Sequence, residues 1–243
     1  MDHTNNSCCC GEAEHFSGCL ICGAPITYRA ESSIQTCSIC HKEQLTNAVC
    51  ENSHFICDAC HSYGTYAPVI AALRDSTEKD ALLLLEKIMD LPSVHMHGPE
   101  HHAIVPCVLL TAFRNNGEHM DYDAALSEIC KRAKQVPGGT CGYWGVCGAA
   151  AGAGIFMSVM TGSSPLYKDA WPFPQKLVSI ILSRLADVGG PRCCKRTSRI
   201  AIEEAVHFYS QFCSVNIPLS SITCKYCEDN RECIQEDCPY YPE

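Results

Sequence analysis

The sequence predicts a mainly α protein: a helical, bundle-like core, a small Cys-rich domain of zinc-ribbon or treble-clef type before it, and a Cys-rich tail after it. Three observations predict this. Cysteine accounts for 21 of 243 residues, and many of these fall in Cys-x2-Cys pairs near the two ends. Between 66 and 213, apolar residues recur at helical spacing between recognisable start and stop signals. The chain is long enough, and at 47% apolar rich enough, to bury one sizeable core plus a satellite.

Residues 1–16, MDHTNNSCCCGEAEHF, read as a flexible tail. They have neither the basic start nor the apolar stretch of a secretory signal, so a cytoplasmic, reducing setting is expected. There, clustered cysteines are metal ligands or reactive thiols rather than a disulfide scaffold. The net charge of −9 argues against broad binding to nucleic acid or anionic lipid.

Residues 17–63 form the expected metal domain. Its pairs are Cys19/Cys22, Cys37/Cys40 and Cys57/Cys60, with Cys50 and His54 between the last two. A Cys-x2-Cys turn lets two thiolates reach one ion, and two such turns complete a tetrahedral site. Eight donors imply two sites. Sequential use of the pairs, Cys19/Cys22/Cys37/Cys40 then Cys50/His54/Cys57/Cys60, is the simpler expectation, and a cross-braced arrangement is the alternative. Zinc in a structural role is expected. A rubredoxin-like iron centre would use thiolates equally well.

Residues 64–213 form the expected helical core. STEKDALLLLEKIMDL starts on Ser76 or Thr77 and stops before Pro92. PEHHAIVPCVLLTAFRNNG opens at Pro99 and ends near Asn115–Gly117. DYDAALSEICKRAKQV runs from acids to bases, matching the helix dipole. GYWGVCGAAAGAGIFMSVM follows a Pro-Gly-Gly turn, FPQKLVSIILSRLADVGG ends on two glycines, and TSRIAIEEAVHFYSQFC starts at Thr197 or Ser198. No charge falls between Gln135 and Tyr167, but the apolar stretch there is only 17 residues long and rich in Gly and Ala. A buried core helix is expected rather than a membrane span.

Three core motifs carry chemistry. In HMHGPEHH, His97 precedes the helix while Glu100, His101 and His102 open it. A helix start favours the carboxylate and neutral, ligating imidazoles. In PGGTCGYWGVCGA, Cys141 and Cys147 flank Tyr143 and Trp144 in a glycine-lined turn, where backbone amides should lower a thiol pKa. In GGPRCCKR, Arg192, Lys195 and Arg196 surround Cys193 and Cys194. These bases should stabilise thiolates, and together with the helix start they could hold an anion. Residues 214–243 add Cys224, Cys227, Cys233 and Cys238, a further metal set in a tail expected to pack on the core. Its spacing departs from the bacterial ferredoxin pattern, so zinc and a [4Fe–4S] cluster both remain open.

Together, HGPEHH, PGGTCGYWGVCGA, GGPRCCKR and the knuckles CLICG and CDACH resemble an uncharacterised Cys-rich domain family of anaerobic bacteria and archaea. That family is sometimes found beside radical-SAM or methyltransferase domains, so the resemblance implies such a protein, or another redox partner, and an anaerobic setting. It brings no established reaction. The expected function is a redox or sulfur-transfer enzyme using the core Cys and His residues with a metal or Fe–S centre. The competing readings are a zinc-stabilised module binding protein or nucleic acid, and a metal store. Few cationic and aromatic residues in the head speak against nucleic acid.

Overall fold

The computed structural model describes residues 17–213 and 215–243; the expected flexible tail, 1–16, lies outside the described residues. The head is a two-stranded antiparallel hairpin with the Cys-x2-Cys turns at its corners. Strand β1, Ile26–Thr36, pairs with β2, Glu43–Cys50, with Ile26 opposite Cys50 and Thr36 opposite Glu43. Register shifts between Tyr28 and Ser33, and the bulge bends the hairpin. Its apolar cluster is Cys37, Val49, Phe55 and Cys57, with Cys60 against it. Four residues are too few to fold a domain without another cross-link.

The short helix α1, Asp58–His61, follows its N-cap Cys57, carries Cys60 and leads into α2, Tyr66–Asp75, then α3, Ala81–Met89, and α4, His101–Asn115. After them come α5, Tyr122–Ala133, the short α6, Thr140–Tyr143, α7, Gly148–Thr161, α8, Pro172–Val188, and α9, Cys194–Tyr209. The mainly helical class expected from the sequence is therefore observed. Helix α4 is the axis. Every residue from His101 to Phe113 is buried, and α2, α3, α5, α7 and α9 pack around it, while α8 covers α7 and α9. No helix is long and apolar enough to cross a membrane among the described residues, and α7 instead buries Gly148–Ala150, Gly152–Gly154, Phe156 and Met157 in the core.

The α4–α7 crossing shows how sequence sets packing. Pro106 sits inside α4 and has no N–H to offer the carbonyl of His102. That carbonyl faces Gly152 of α7, where a Cβ would come within 2.5 Å of it. Glycine thus lets α7 lie against the one turn of α4 that proline has opened. Phe113, Phe156 and Tyr209 then close the core, with ring centroids 4.7–5.4 Å apart.

Three helix starts differ from expectation. Helix α3 begins after Asp80, not Ser76 or Thr77, because the Asp80 carboxylate accepts from the amides of Leu82 and Leu83, each at 2.9 Å. Helix α9 begins at Cys194, three residues early, because the Cys193 sulfur caps the amide of Arg196 at 3.4 Å. The stretch from Gly142 onward is not one helix: it is broken over 144–147 between α6 and α7, with Gly145 at φ +67°.

The tail, 215–243, lies along the core. Tyr226 donates to Asp90 at 2.6 Å, Lys225 pairs with the same carboxylate, and Tyr240 donates to Glu203 at 2.9 Å. The head is tied to the core by Asp58, which accepts from the Gly138 amide at 2.7 Å, and just past the head Thr65, the N-cap residue of α2, donates to the Ser93 carbonyl at 2.6 Å.

Candidate metal centres and thiol site

The eight head donors fall into two groups: Cys19, Cys22, Cys50 and His54, and Cys37, Cys40, Cys57 and Cys60. This is the cross-braced arrangement, and it corrects the sequential pairing. The hairpin is the reason. Pairing Ile26 with Cys50 carries the third donor pair back to the first knuckle, and the chain beyond returns to the second. The spacing fits one ion per group. Thiolates at about 2.3 Å from a tetrahedral ion stand about 3.8 Å apart, and a thiolate and an imidazole nitrogen about 3.5 Å. Cys22–Cys50 and Cys40–Cys57 are each 3.8 Å, and the Nδ1 of His54 lies 3.3–3.9 Å from the sulfurs of Cys22, Cys50 and Cys19.

Backbone amides hold the sulfurs, as in the Ile21 amide on Cys19 and the Cys57 amide on Cys37, both 3.4 Å. Each knuckle turns through a left-handed residue, Gly23 at φ +69° and His41 at +58°. An amide at Ala24, then Asn52, pulls the Cys22 thiol down to about 6. Burial pushes Cys37 up, but the amides of Cys40, Cys57 and Ile39 outweigh it and bring that thiol to about 6 as well. Each group thus already contains one thiol poised as thiolate, the form that binds metal.

The three core motifs meet around Gly98. Its amide supports the Cys194 sulfur, its carbonyl faces the Nδ1 of His101 at 3.3 Å, and a Cβ on it would strike the Glu100 carboxylate at 2.1 Å. Cys194 shares its surroundings with Cys147 and Arg192, Cys147 with Cys141, and Tyr28 of β1 with Cys141, Cys194 and Tyr143. Arg192 donates to the Tyr28 hydroxyl at 2.6 Å. Cys141, Cys147 and Cys194 therefore lie in one region where the head meets the core, without coming to ligand spacing of one another, with Cys141 exposed and the other two half-buried.

Cys193 points elsewhere. It caps α9, is buried, and shares its surroundings with Cys224, Arg196 and Arg199. The expected lowering of the core thiols is reversed by burial, which pushes Cys147 and Cys193 up and Cys194 up to about 12. For Cys147 burial overrides the Thr197 hydroxyl and the amides of Ala149 and Ala150, which favour the thiolate. Desolvation at these positions costs more than nearby dipoles and guanidinium groups return.

The remaining predicted residues divide by role. His97 is engaged at both nitrogens: the Cys194 amide points at Nδ1 (3.5 Å), while Nε2 meets Asn230 (3.0 Å) and Glu232 (3.2 Å) of the tail. It ties three segments together. His101 and His102 turn their Nδ1 toward the carbonyls of Gly98 and Val136, and the Nε2 of His102 faces Gly148, where a Cβ would come within 2.1 Å of it. Burial, foremost, keeps both imidazoles neutral. Lys195 is fully buried and donates to the Met89 carbonyl at 3.1 Å. Arg196 donates to the carbonyls of Gly189 and Pro191. These two cations therefore hold backbone, although Lys195 also lies in the electrostatic surroundings of Cys194, and Arg192 reaches the Tyr28 hydroxyl beside the thiols. In the tail, Cys227 has Cys224 and Cys233 in its surroundings, whereas Cys238 lines a surface groove together with Asp187 and Val188 of α8 and Gly190 beyond it. Neither the four tail thiols nor the core thiols are among the groups whose donor atoms all lie within 4.8 Å of one another.

Residues 69–241 match the model of a family of unknown function, DUF5714. The chain belongs to that family. Comparison with curated proteins and with solved structures finds no match. The DUF5714 region contains all three core motifs and all four tail cysteines, and the cross-braced head precedes it.

Sequence reasoning missed His61 and His95. A third donor group among the described residues is His61, His95 and Glu100. His95 stands two residues before His97 in the same histidine-rich stretch, and His61 directly follows the last knuckle cysteine, so each is legible only as a neighbour of something stronger. Burial alone would raise the Glu100 carboxyl; hydrogen bonds from His61 and His95 outweigh it and hold the group well below the usual carboxylate range. Also outside every motif, the sulfurs of Cys107 and Cys130 lie 3.8 Å apart between α4 and α5.

Proposed function

We propose that this DUF5714 protein is a metal-dependent redox protein of anaerobic metabolism, with structural zinc in its head and a metal or Fe–S centre at Cys141, Cys147 and Cys194. The observation that supports the reading is that these three thiols, from two separate motifs, face one another's electrostatic surroundings at a junction bordered by Tyr28, Arg192 and the Gly98 amide; an ion would have to draw their sulfurs closer, since they do not form a ready donor group. Burial keeps the metal-free Cys147 and Cys194 thiols protonated, which speaks for ligation over free-thiolate sulfur transfer at these two, since a bound cation replaces the proton and offsets the desolvation. A bound iron centre would supply one-electron chemistry. The chain's own part is to hold sulfurs and tune them: the amides of Gly98, Ala149 and Ala150 and the Thr197 hydroxyl stabilise negative sulfur, and such groups raise the potential of an iron–thiolate centre. Three thiolates leave room for one further ligand, and exposed Cys141 marks the open side.

Tyr143 and Trp144, 55% and 67% exposed beside Cys141, offer a docking surface for a radical-SAM, methyltransferase or other redox partner. The same two rings favour the second reading, a zinc-stabilised binding module without catalysis. Anaerobic purification with iron, sulfide and zinc analysis separates the two. The redox reading expects iron and visible absorption that disappear in Cys147→Ser and Cys194→Ser. Zinc alone, with no spectral change in either variant, supports the binding module.

A further inference from the structure

We propose that His61, His95 and Glu100 form a third, mononuclear metal site for a divalent cation such as Zn2+ or Fe2+, with coordination positions left open to water or a small anionic ligand. The donors come from three segments: the end of α1 in the head, the loop before α4, and the residue that starts α4. The Nδ1 of His61 lies 3.3 Å from one Glu100 oxygen, and the Nδ1 of His95 lies 3.0 Å from the other. Donors bound to one ion at about 2.0–2.1 Å stand roughly 2.9–3.4 Å apart at octahedral or tetrahedral angles; both histidine–carboxylate distances fall in that range, and all three donors lie within 4.8 Å of one another, so a small adjustment would bring them onto one ion. The two imidazoles meet edge to face, centroids 4.7 Å apart and planes at 69°, so they can offer nitrogens to one point without their rings colliding.

The surroundings are built for it. The Glu100 carboxylate is completely buried, and the His95 backbone amide, 3.2 Å from Oε1, fixes its orientation. An oriented carboxylate is the usual support of a metal site. Gly98 gives the donors their room: a Cβ there would fall 2.1 and 2.5 Å from the Glu100 oxygens and 2.5 Å from the His61 ring. The histidines are the open side, with side chains 19% and 27% exposed, so an ion and a further ligand can reach the site. Two imidazoles and one carboxylate are the donor set of catalytic zinc and non-haem iron, which keep positions free, unlike the closed four-donor head sites. His61 lies outside the family region and Glu100 and His95 inside it, so the site would exist only when head and core are joined.

The test uses the full chain, purified without chelator and saturated with Zn2+, or with Co2+ as a spectroscopic substitute, by equilibrium dialysis. His95→Gln and Glu100→Gln are each expected to bind one metal equivalent fewer than wild type. Their thiolate-to-cobalt absorption, which comes from the sulfur sites, should be unchanged. That unchanged absorption and a native circular dichroism spectrum show that the variant has folded. If Glu100→Gln does not fold, the partly exposed His95→Gln decides. A folded His95→Gln chain that retains the full wild-type metal count overturns the proposal.

Discussion

Gly98 and Gly148 do their work by what they lack. Each leaves room for a ring or carboxylate that a methyl group would displace, and each sits in a motif that looks in the sequence like a generic flexible turn. For Gly148→Ala the new carbon would lie 2.0 Å from the His102 ring. Overpacking of this kind costs about 1–3 kcal/mol, so urea unfolding should show a clear loss, whereas Gly142→Ala, with nothing within 4 Å of its added carbon, should be close to neutral. Arg199 is another residue whose weight the sequence hid. It is fully buried and forks onto Glu86 at 2.7 and 2.9 Å, with its guanidinium above the rings of Tyr226 and Tyr240. Arg199→Leu strands a carboxylate that is 12% exposed, for which the expected cost is about 3–5 kcal/mol. The double change with Glu86→Leu should recover part of it in the same unfolding experiment. A single-variant loss below about 1 kcal/mol would mean that water already solvates Glu86.

Among the elements, the long apolar helices were readable because their periodicity and punctuation agree, as in DYDAALSEICKRAKQV, which forms α5 with Asp121 capping Ala124 at 3.1 Å. Boundaries were less legible where several nearby residues could supply the cap. Asp80 wins over Thr77 because its carboxylate reaches two amides. Asp80→Ala should therefore cost about 0.5–2 kcal/mol in thermal or urea unfolding, and Thr77→Ala almost nothing; equal losses would restore the earlier cap. Cys193 shows the same limit in another form. Adjacent cysteines read as a pair, but one caps α9 toward the tail while its neighbour faces Gly98 and Cys147. The sequence supplied the ligand types of the head, but their pairing is a property of the hairpin register. Burial, which reversed the expected thiol shifts, is likewise a property of the packed whole rather than of the motif.

At the scale of the molecule, a small head with little apolar core is fastened to a large helical body by Asp58, His61 and Tyr28. The two parts should respond differently to metal loss. A strong chelator is expected to unfold residues 17–63, which depend on their ions for cross-linking, while far-ultraviolet circular dichroism keeps most of its helical signal and protease cuts first within the head. Simultaneous loss of helix would show that metal also holds the core. The central claim concerns the junction where the head's Tyr28 meets Cys141, Cys147 and Cys194. It is tested most directly by the visible absorption and iron content of the anaerobically purified full chain, compared with its Cys194→Ser variant. The account predicts an iron-containing, coloured protein that loses both iron and colour on that substitution while keeping its head zinc. A colourless wild-type protein holding zinc alone, or a variant identical to it, would contradict the account.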